Sequence, residues 1–224
     1  MWIPYILISA VLLAVYDTAK KHSVRANAVM PVLVLGTAAG ALFFALALAA
    51  TGRLRDALVI SYVDFGLVAV KAVIVSGSWI FVYYAMRALP LSIVAPIRAS
   101  SPLWTLAGAM LLFHEIPTPL QALGMVVILV GYWLFSVAGQ AEGIRFTRHP
   151  GVFCAFAGTL LGAGSALYDK YLLQTCGLER NTMQLWFAID LTLLLGATLC
   201  VQRAAGLQRT RFEWRWTIPA VGML

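Results

Sequence analysis

The sequence predicts an all-α protein, a polytopic transmembrane helical bundle of inverted five-helix repeats, and three observations carry that expectation. Hydrophobic residues make up 62% of the 224 and charged residues only 11%, with a mean hydropathy of +0.88. No water-soluble domain of this length needs so little charge. Seven apolar runs of membrane length follow one another and an eighth begins. A tyrosine-aspartate step recurs late in the first and the sixth of them.

Taken in order, the first run, Trp2 to about Ala19, lacks a basic leader and a small-residue cleavage site. It reads as a retained helix rather than a signal peptide. The second covers Val29 to Ala50 and the third Phe65 to Met86. The fourth, Leu91 to Phe113, holds about 23 residues, enough to cross a hydrocarbon core of about 30 Å at 1.5 Å per residue. Pro96 and Pro102 lie inside it, and each removes a backbone donor, so the helix is expected to kink or open there. A polar elbow, His114-Glu115-Ile116-Pro117-Thr118, leads into the fifth run, Pro119 to Ala138. Thr118, Pro119 and Gln121 supply an N-cap, a first-turn proline and a capping-box partner, and Glu115 is expected to cap the elbow. The sixth run is Gly151 to Leu173 and the seventh Thr182 to Val201, where Asn181 and Gln184 repeat the capping-box spacing. Trp216 to Leu224 opens the eighth.

Val15-Tyr16-Asp17 and Leu167-Tyr168-Asp169 stand 152 residues apart. The same offset carries Met30–Ala50 onto Thr182–Gln202, and the start of the third run onto the start of the eighth. The domain organisation read from this is a five-helix repeat over 1–138, an inter-repeat loop over 139–149 and a partial second repeat over 150–224. Because five is odd, the second copy must cross the membrane in the opposite sense. A finished copy would end near residue 290, about 65 residues beyond Leu224, so the chain is expected to be C-terminally truncated. Gly36-x-x-x-Gly40 and Gly158-x-x-x-Gly162 suit close helix contact, either inside the bundle or in a homodimer.

The stretch Tyr83–Phe135 adds a more specific pattern. Ala88-Leu89 precedes a run that carries Pro102 in its middle and ends at Glu115, and the next run spaces Gly124 and Gly131. This resembles the signature of EamA-like repeats in the drug/metabolite transporter superfamily, over runs one to five directly and over runs six and seven through the internal repeat. The resemblance implies about ten helices in inverted repeats. It also implies a secondary transporter, a permease or exporter, that moves a small polar or amphipathic metabolite by alternating access. The expected setting is a bacterial inner (plasma) membrane, the expected partners the lipid bilayer and a small-molecule substrate, and no cofactor is implied. A non-transporting membrane component, such as a lipid-handling or assembly subunit, is the alternative built from the same helices.

A net charge of +7 would suggest nucleic acid for a soluble protein. Here the cations sit mainly in short loops between apolar runs, so no nucleic-acid partner is expected. Lys20, Lys21, Arg25, Arg87, Arg145, Arg148, Arg203, Arg209, Arg211 and Arg215 fall on the face away from the N-terminus. Arg53, Arg55, Lys170 and Arg180 fall on the N-terminal face. Positive residues favour the cytoplasm, which puts the N-terminus outside, whereas the resemblance implies termini inside; both orientations stand. Cys154, Cys176 and Cys200 show no paired spacing and read as small apolar residues. There is no HExxH and no Gly-rich phosphate loop, so neither enzyme chemistry nor a metal is expected. His22, His114 and His149 fall in loops and read as solvated.

Ionisable groups inside spans are costly and point to function by default. At 1.5 Å per residue, Lys71 lies about 9 Å and Asp190 about 12 Å in from the N-terminal face, which Asp169 also approaches. Arg98 lies about 10 Å in from the other face, at a depth similar to that of Asp17. Two compensated clusters are therefore permitted, Lys71 with Asp190 or Asp169, and Arg98 with Asp17. They read either as structural ion pairs or as gates on a pathway. Arg98, Ser101, Pro102 and Thr105 form a polar stripe at helical spacing. Ser78, Trp79 and Trp186 complete the expected substrate pathway, and both signs of charge suit a zwitterion or organic anion. Asp17, Asp169 and Asp190 are the candidate proton carriers.

Overall fold

The computed structural model describes residues 3–141, 149–206 and 210–223. Among them ten α-helices follow in order: α1 Ile3–Val24, α2 Val29–Ala50, α3 Leu54–Leu58, α4 Tyr62–Ala88, α5 Leu91–Ala99, α6 Ser101–Phe113, α7 Pro119–Ala141, α8 Pro150–Lys170, α9 Arg180–Ala204 and α10 Thr217–Met223. A π-helical turn, Tyr171–Thr175, continues α8. Among the described residues four helices are each long and apolar enough to cross a bilayer: α2, α4, α8 with its π turn, and α9. Outward apolar residues such as Leu120, Leu123, Val127 and Val130 on α7 are exposed, the surface expected of a helix set in lipid.

The fourth run is not one helix. α5 stops at Ala99 and α6 restarts at Ser101 because Pro102 offers no N–H to the Arg98 carbonyl and its ring crowds that oxygen. Ser100, only 2% exposed, closes the break. Its N–H reaches the carbonyls of Pro96 and Ile97 at 3.2 and 3.3 Å. Its hydroxyl donates to Ile97 O at 2.7 Å and accepts from Trp104 Nε1 at 3.2 Å. Pro96 lies inside α5 without ending it.

Helix starts follow side-chain chemistry. Thr118 and Gln121 cap α7 reciprocally, Thr118 N–H donating to Gln121 Oε1 at 2.8 Å and Gln121 N–H to Thr118 Oγ1 at 3.3 Å. α4 begins ahead of its apolar run because Ser61 and Asp64 form a similar box. There Asp64 N–H donates to Ser61 Oγ at 3.1 Å and the hydroxyl to Asp64 Oδ2 at 2.9 Å. α9 is capped by Glu179 rather than Asn181: the carboxylate accepts the Thr182 N–H at 2.7 Å and its hydroxyl at 3.1 Å. A charged acceptor makes the stronger cap. α7 continues to Ala141, into the stretch expected as a loop, and residues 142–148 of that stretch lie outside the described residues.

The helices form two compact units, Met1–Ser76 with Leu178–Leu224, and Gly77–Gly177. In the first, α2 packs against α9 and α10, and α1 against α10. Gly36 and Gly40 face α10, where a Cβ on Gly40 would come within 2.5 Å of Gly222 O and one on Gly222 would overlap Gly36 O. Buried Asn27 ties the turn after α1 to the segment before α10. It donates to Glu213 O at 2.7 Å and accepts the Glu213 N–H at 2.9 Å. Ser23 Oγ meets Thr217 Oγ1 at 2.7 Å, and His22, itself exposed, brings its Nδ1 to 3.2 Å from the same hydroxyl. In the second unit α8 packs on α5 and α6, and Ser78 Oγ on α4 donates to Gly158 O at 2.7 Å. His149 caps α8, its Nδ1 accepting the Gly151 N–H at 3.1 Å. Both glycine pairs thus face helices of this chain.

A Cβ on Gly158 would stand 2.7 Å from Val82 Cγ2 and 2.9 Å from Ser78 O, whereas one on Gly164 of the same helix would meet nothing within 4 Å. Gly158→Ala is therefore expected to lower stability by about 1–3 kcal/mol and Gly164→Ala to leave it equal or higher. Thermal unfolding of the two variants in one detergent reads the difference directly.

Candidate functional site

In the first unit, α4 and α9 meet through long side chains. Phe65 stands edge-on to Trp186 with ring centroids 5.5 Å apart and an interplanar angle of 89°. Six residues along α4, the Lys71 ammonium lies 4.3 Å from the centroid of the Phe187 ring, a favourable seat for a desolvated cation. Lys71 is 4% and Asp190 7% exposed. Asp190 sits one turn beyond Trp186 on the same face of α9. Asp190 Oδ2 and Trp186 Nε1 are both buried with no hydrogen-bond partner among the described residues. Each unmet group costs about 1–3 kcal/mol, and more for a carboxylate. Of the pairings the sequence permitted for Lys71, with Asp190 or Asp169, none runs through Asp190 Oδ2, which has no hydrogen-bond partner among the described residues; the Lys71 ammonium lies over Phe187.

In the second unit, a cavity of about 460 Å³ lies among α6, α7 and α8. Leu103, Leu106, Met125, Ile128 and Leu167 line it with Thr105, and Glu115 and Lys170 border it. These last two form an ion pair, and Lys170 Nζ also lies 4.7 Å from the Phe113 ring centroid. His114, left-handed at φ 53°, ends α6 and turns the chain there. Glu115 therefore does not cap the elbow; Thr118 and Gln121 do, and the carboxylate is engaged by Lys170. Just past Lys170, the Cys176 N–H bonds Tyr171 O at 3.1 Å, closing the π turn.

The remaining candidates divide between the units. Asp17 is half-buried on α1 in the first. Ser78, Trp79, Arg98, Ser101, Thr105 and Asp169 belong to the second. Ser78 is committed to Gly158 O, and the Thr105 hydroxyl donates to Ser101 O at 3.0 Å while its side chain borders the cavity. Trp79, Arg98, Ser101 and Asp169 are half-buried. Sequence reasoning passed over Phe65, Phe187 and Lys170. The two phenylalanines are indistinguishable from lipid-facing aromatics in an apolar run, and only the adjacency of Lys170 to Asp169 hinted at its place.

A bundle of membrane-length helices with ionisable side chains buried inside the spans is the architecture of a membrane transport protein. The chain belongs to the EamA-like transporter family, whose profile matches residues 1–137, from α1 through most of α7. It is an integral membrane protein of the drug/metabolite transporter superfamily. No curated protein matches it.

The cap that starts α9 carries a pH signature. Burial raises the Glu179 pKa, but the Thr182 and Asn181 N–H groups, the Thr182 hydroxyl and Arg53 outweigh it and hold the carboxyl below the usual carboxylate range. A depressed carboxyl stabilises the fold above its unfolded value of about 4.3, and that contribution is lost as pH falls through the folded value. Glu179→Ala is expected to lower stability by about 1 kcal/mol at neutral pH, with the gap to wild type closing progressively below about pH 4. Unfolding temperatures of both proteins across that range check it.

Proposed function

We propose that the chain is a secondary transporter that carries a small polar or amphipathic metabolite by alternating access, with the facing sides of α4 and α9 as part of its pathway. Asp190 carries this reading. Its buried, unmet oxygen, one turn along α9 from the unmet Trp186 indole N–H, offers a solute or coupling proton a place to bind. Lys71, with its charge held on Phe187, supplies the opposite sign, which suits a zwitterion or an organic anion. Asp17, Ser78, Trp79, Arg98, Ser101, Thr105 and Asp169 are the further proposed pathway residues. The coupling is to an ion gradient, with Asp190 first among the candidate proton carriers, and the setting is a bacterial inner membrane.

Alternating access draws on the internal repeat. The ends of α1 and α2, shifted by the offset of 152, fall within about two residues of the ends of the π turn and α9. The contacts recur as well: α1 meets α10 in the first unit, and α8, the counterpart of α1, meets α4, the counterpart of α10, in the second. Two inverted copies rocking about a fixed site is the motion such repeats support.

The test is solute accumulation in proteoliposomes under an imposed pH gradient, with a panel of labelled zwitterions and organic anions. Asp190→Asn is expected to abolish gradient-driven accumulation while leaving solute exchange measurable. Lys71→Ala and Arg98→Ala are expected to cut flux about tenfold or more, the loss of one charge-assisted contact. Wild-type accumulation in Asp190→Asn would remove the proton-carrier role, and wild-type flux in both cation variants would remove the charged pathway.

A further inference from the structure

We propose that the cavity of the second unit binds one bilayer phospholipid of the ethanolamine type, an acyl chain lying along α6 between α7 and α8 and the headgroup seated on Glu115 and Lys170. The depth fits a lipid. Glu115 and Lys170 stand at helix ends, where α6 meets the elbow and α8 passes into its π turn, and the lining descends from them along α6 to Pro102. α6 has 13 residues, about 20 Å at 1.5 Å per residue. One leaflet of a hydrocarbon core of about 30 Å is about 15 Å deep. The cavity thus starts where headgroups lie and spans one acyl leaflet.

Its walls fit the tail. On the α6 side the notch at Gly108 is already filled, since a Cβ there would overlap Leu167 Cδ1. On the α7 side the space is open: α7 packs most closely on α5, and a Cβ on Gly124 would meet nothing within 4 Å. The Thr105 hydroxyl is spent on Ser101 O, so the interior below the ion pair offers a polar solute little. An apolar cavity stays dry, and left empty its walls forfeit dispersion contacts that methylenes would restore.

The rim fits the headgroup. The Lys170 and Glu115 side chains are 25% and 49% exposed while paired, so each retains free hydrogen-bonding capacity. A phosphate beside the Lys170 ammonium and a primary ammonium beside the Glu115 carboxylate would complete a four-charge ring. A glycerol headgroup brings no cation to Glu115, and a choline brings one that cannot donate a hydrogen bond. Thr105 is the one proposed pathway residue that also lines this cavity; the α4–α9 face that carries the transport reading draws on other residues, so either reading can fail without the other.

The experiment uses the full chain reconstituted in vesicles of phosphatidylethanolamine and phosphatidylglycerol, extracted in mild detergent and weighed by native mass spectrometry. Wild type is expected to retain one phosphatidylethanolamine. Gly124→Leu, whose side chain enters open space, is expected to retain none while unfolding at the wild-type temperature. Glu115→Gln is expected to lower the preference for phosphatidylethanolamine over phosphatidylglycerol about tenfold. Equal retention of the two lipids by wild type overturns the proposal, as does unchanged retention in Gly124→Leu or a non-lipid metabolite occupying the cavity. Should Gly124→Leu unfold early, Glu115→Gln decides alone: an unchanged lipid preference sinks the headgroup site.

Discussion

Hydrocarbon offers a backbone no hydrogen bond, and that single deficit shapes this chain. Where Pro102 interrupts the fourth span, Ser100 supplies an amide, a hydroxyl donor and a hydroxyl acceptor within one turn. Where α1 turns into α2, the Asn27 amide takes both the N–H and the carbonyl of Glu213. Threonines along the spans return their hydroxyls to carbonyls of their own helix, as Thr37, Thr159 and Thr192 do. Among the described residues, Asp190 Oδ2 and Trp186 Nε1, one turn apart on α9, and Asp169 Oδ1 on α8 are buried without a hydrogen bond.

Helix association under the same constraint cannot draw on the hydrophobic effect, since lipid tails are as apolar as leucine. Close backbone approach takes over. Gly36, Gly40 and Gly222 let α2 and α10 touch along their main chains, and Gly158 admits Ser78 O and Val82. These contacts join helices far apart in the sequence: α10 on α2, and α8 on α4. Each compact unit is therefore held by contacts between sequence-distant helices.

Much of this was legible beforehand, because span length, proline position and capping chemistry are local properties. The capping box of Thr118 and Gln121 forms as its spacing demands, and Pro102 opens the fourth span. Other features escaped for reasons that can be named. Glu179 displaces Asn181 as the cap of α9 because a carboxylate outcompetes an amide for the same N–H groups, a contest that spacing rules alone do not weigh. Glu115 belonged to the elbow by position, yet its partner, Lys170, lies 55 positions along the chain. Ser100 was overlooked beside Ser101 because the polar stripe was drawn on an unbroken helix, and the break rotates which serine faces inward.

By itself, then, the sequence determined that the chain is helical, that it lives in a bilayer, and where most of its helices start. Those follow from hydropathy, periodicity and capping, which need no knowledge of neighbours. The tertiary structure decided that Glu115 pairs with Lys170, that the Lys71 ammonium lies over the Phe187 ring, and that α7 stands off to leave a cavity. Pairing in a low-dielectric interior depends on ångström-scale distances between helices remote in sequence, and no pattern of residue types along a single strand of text encodes those distances.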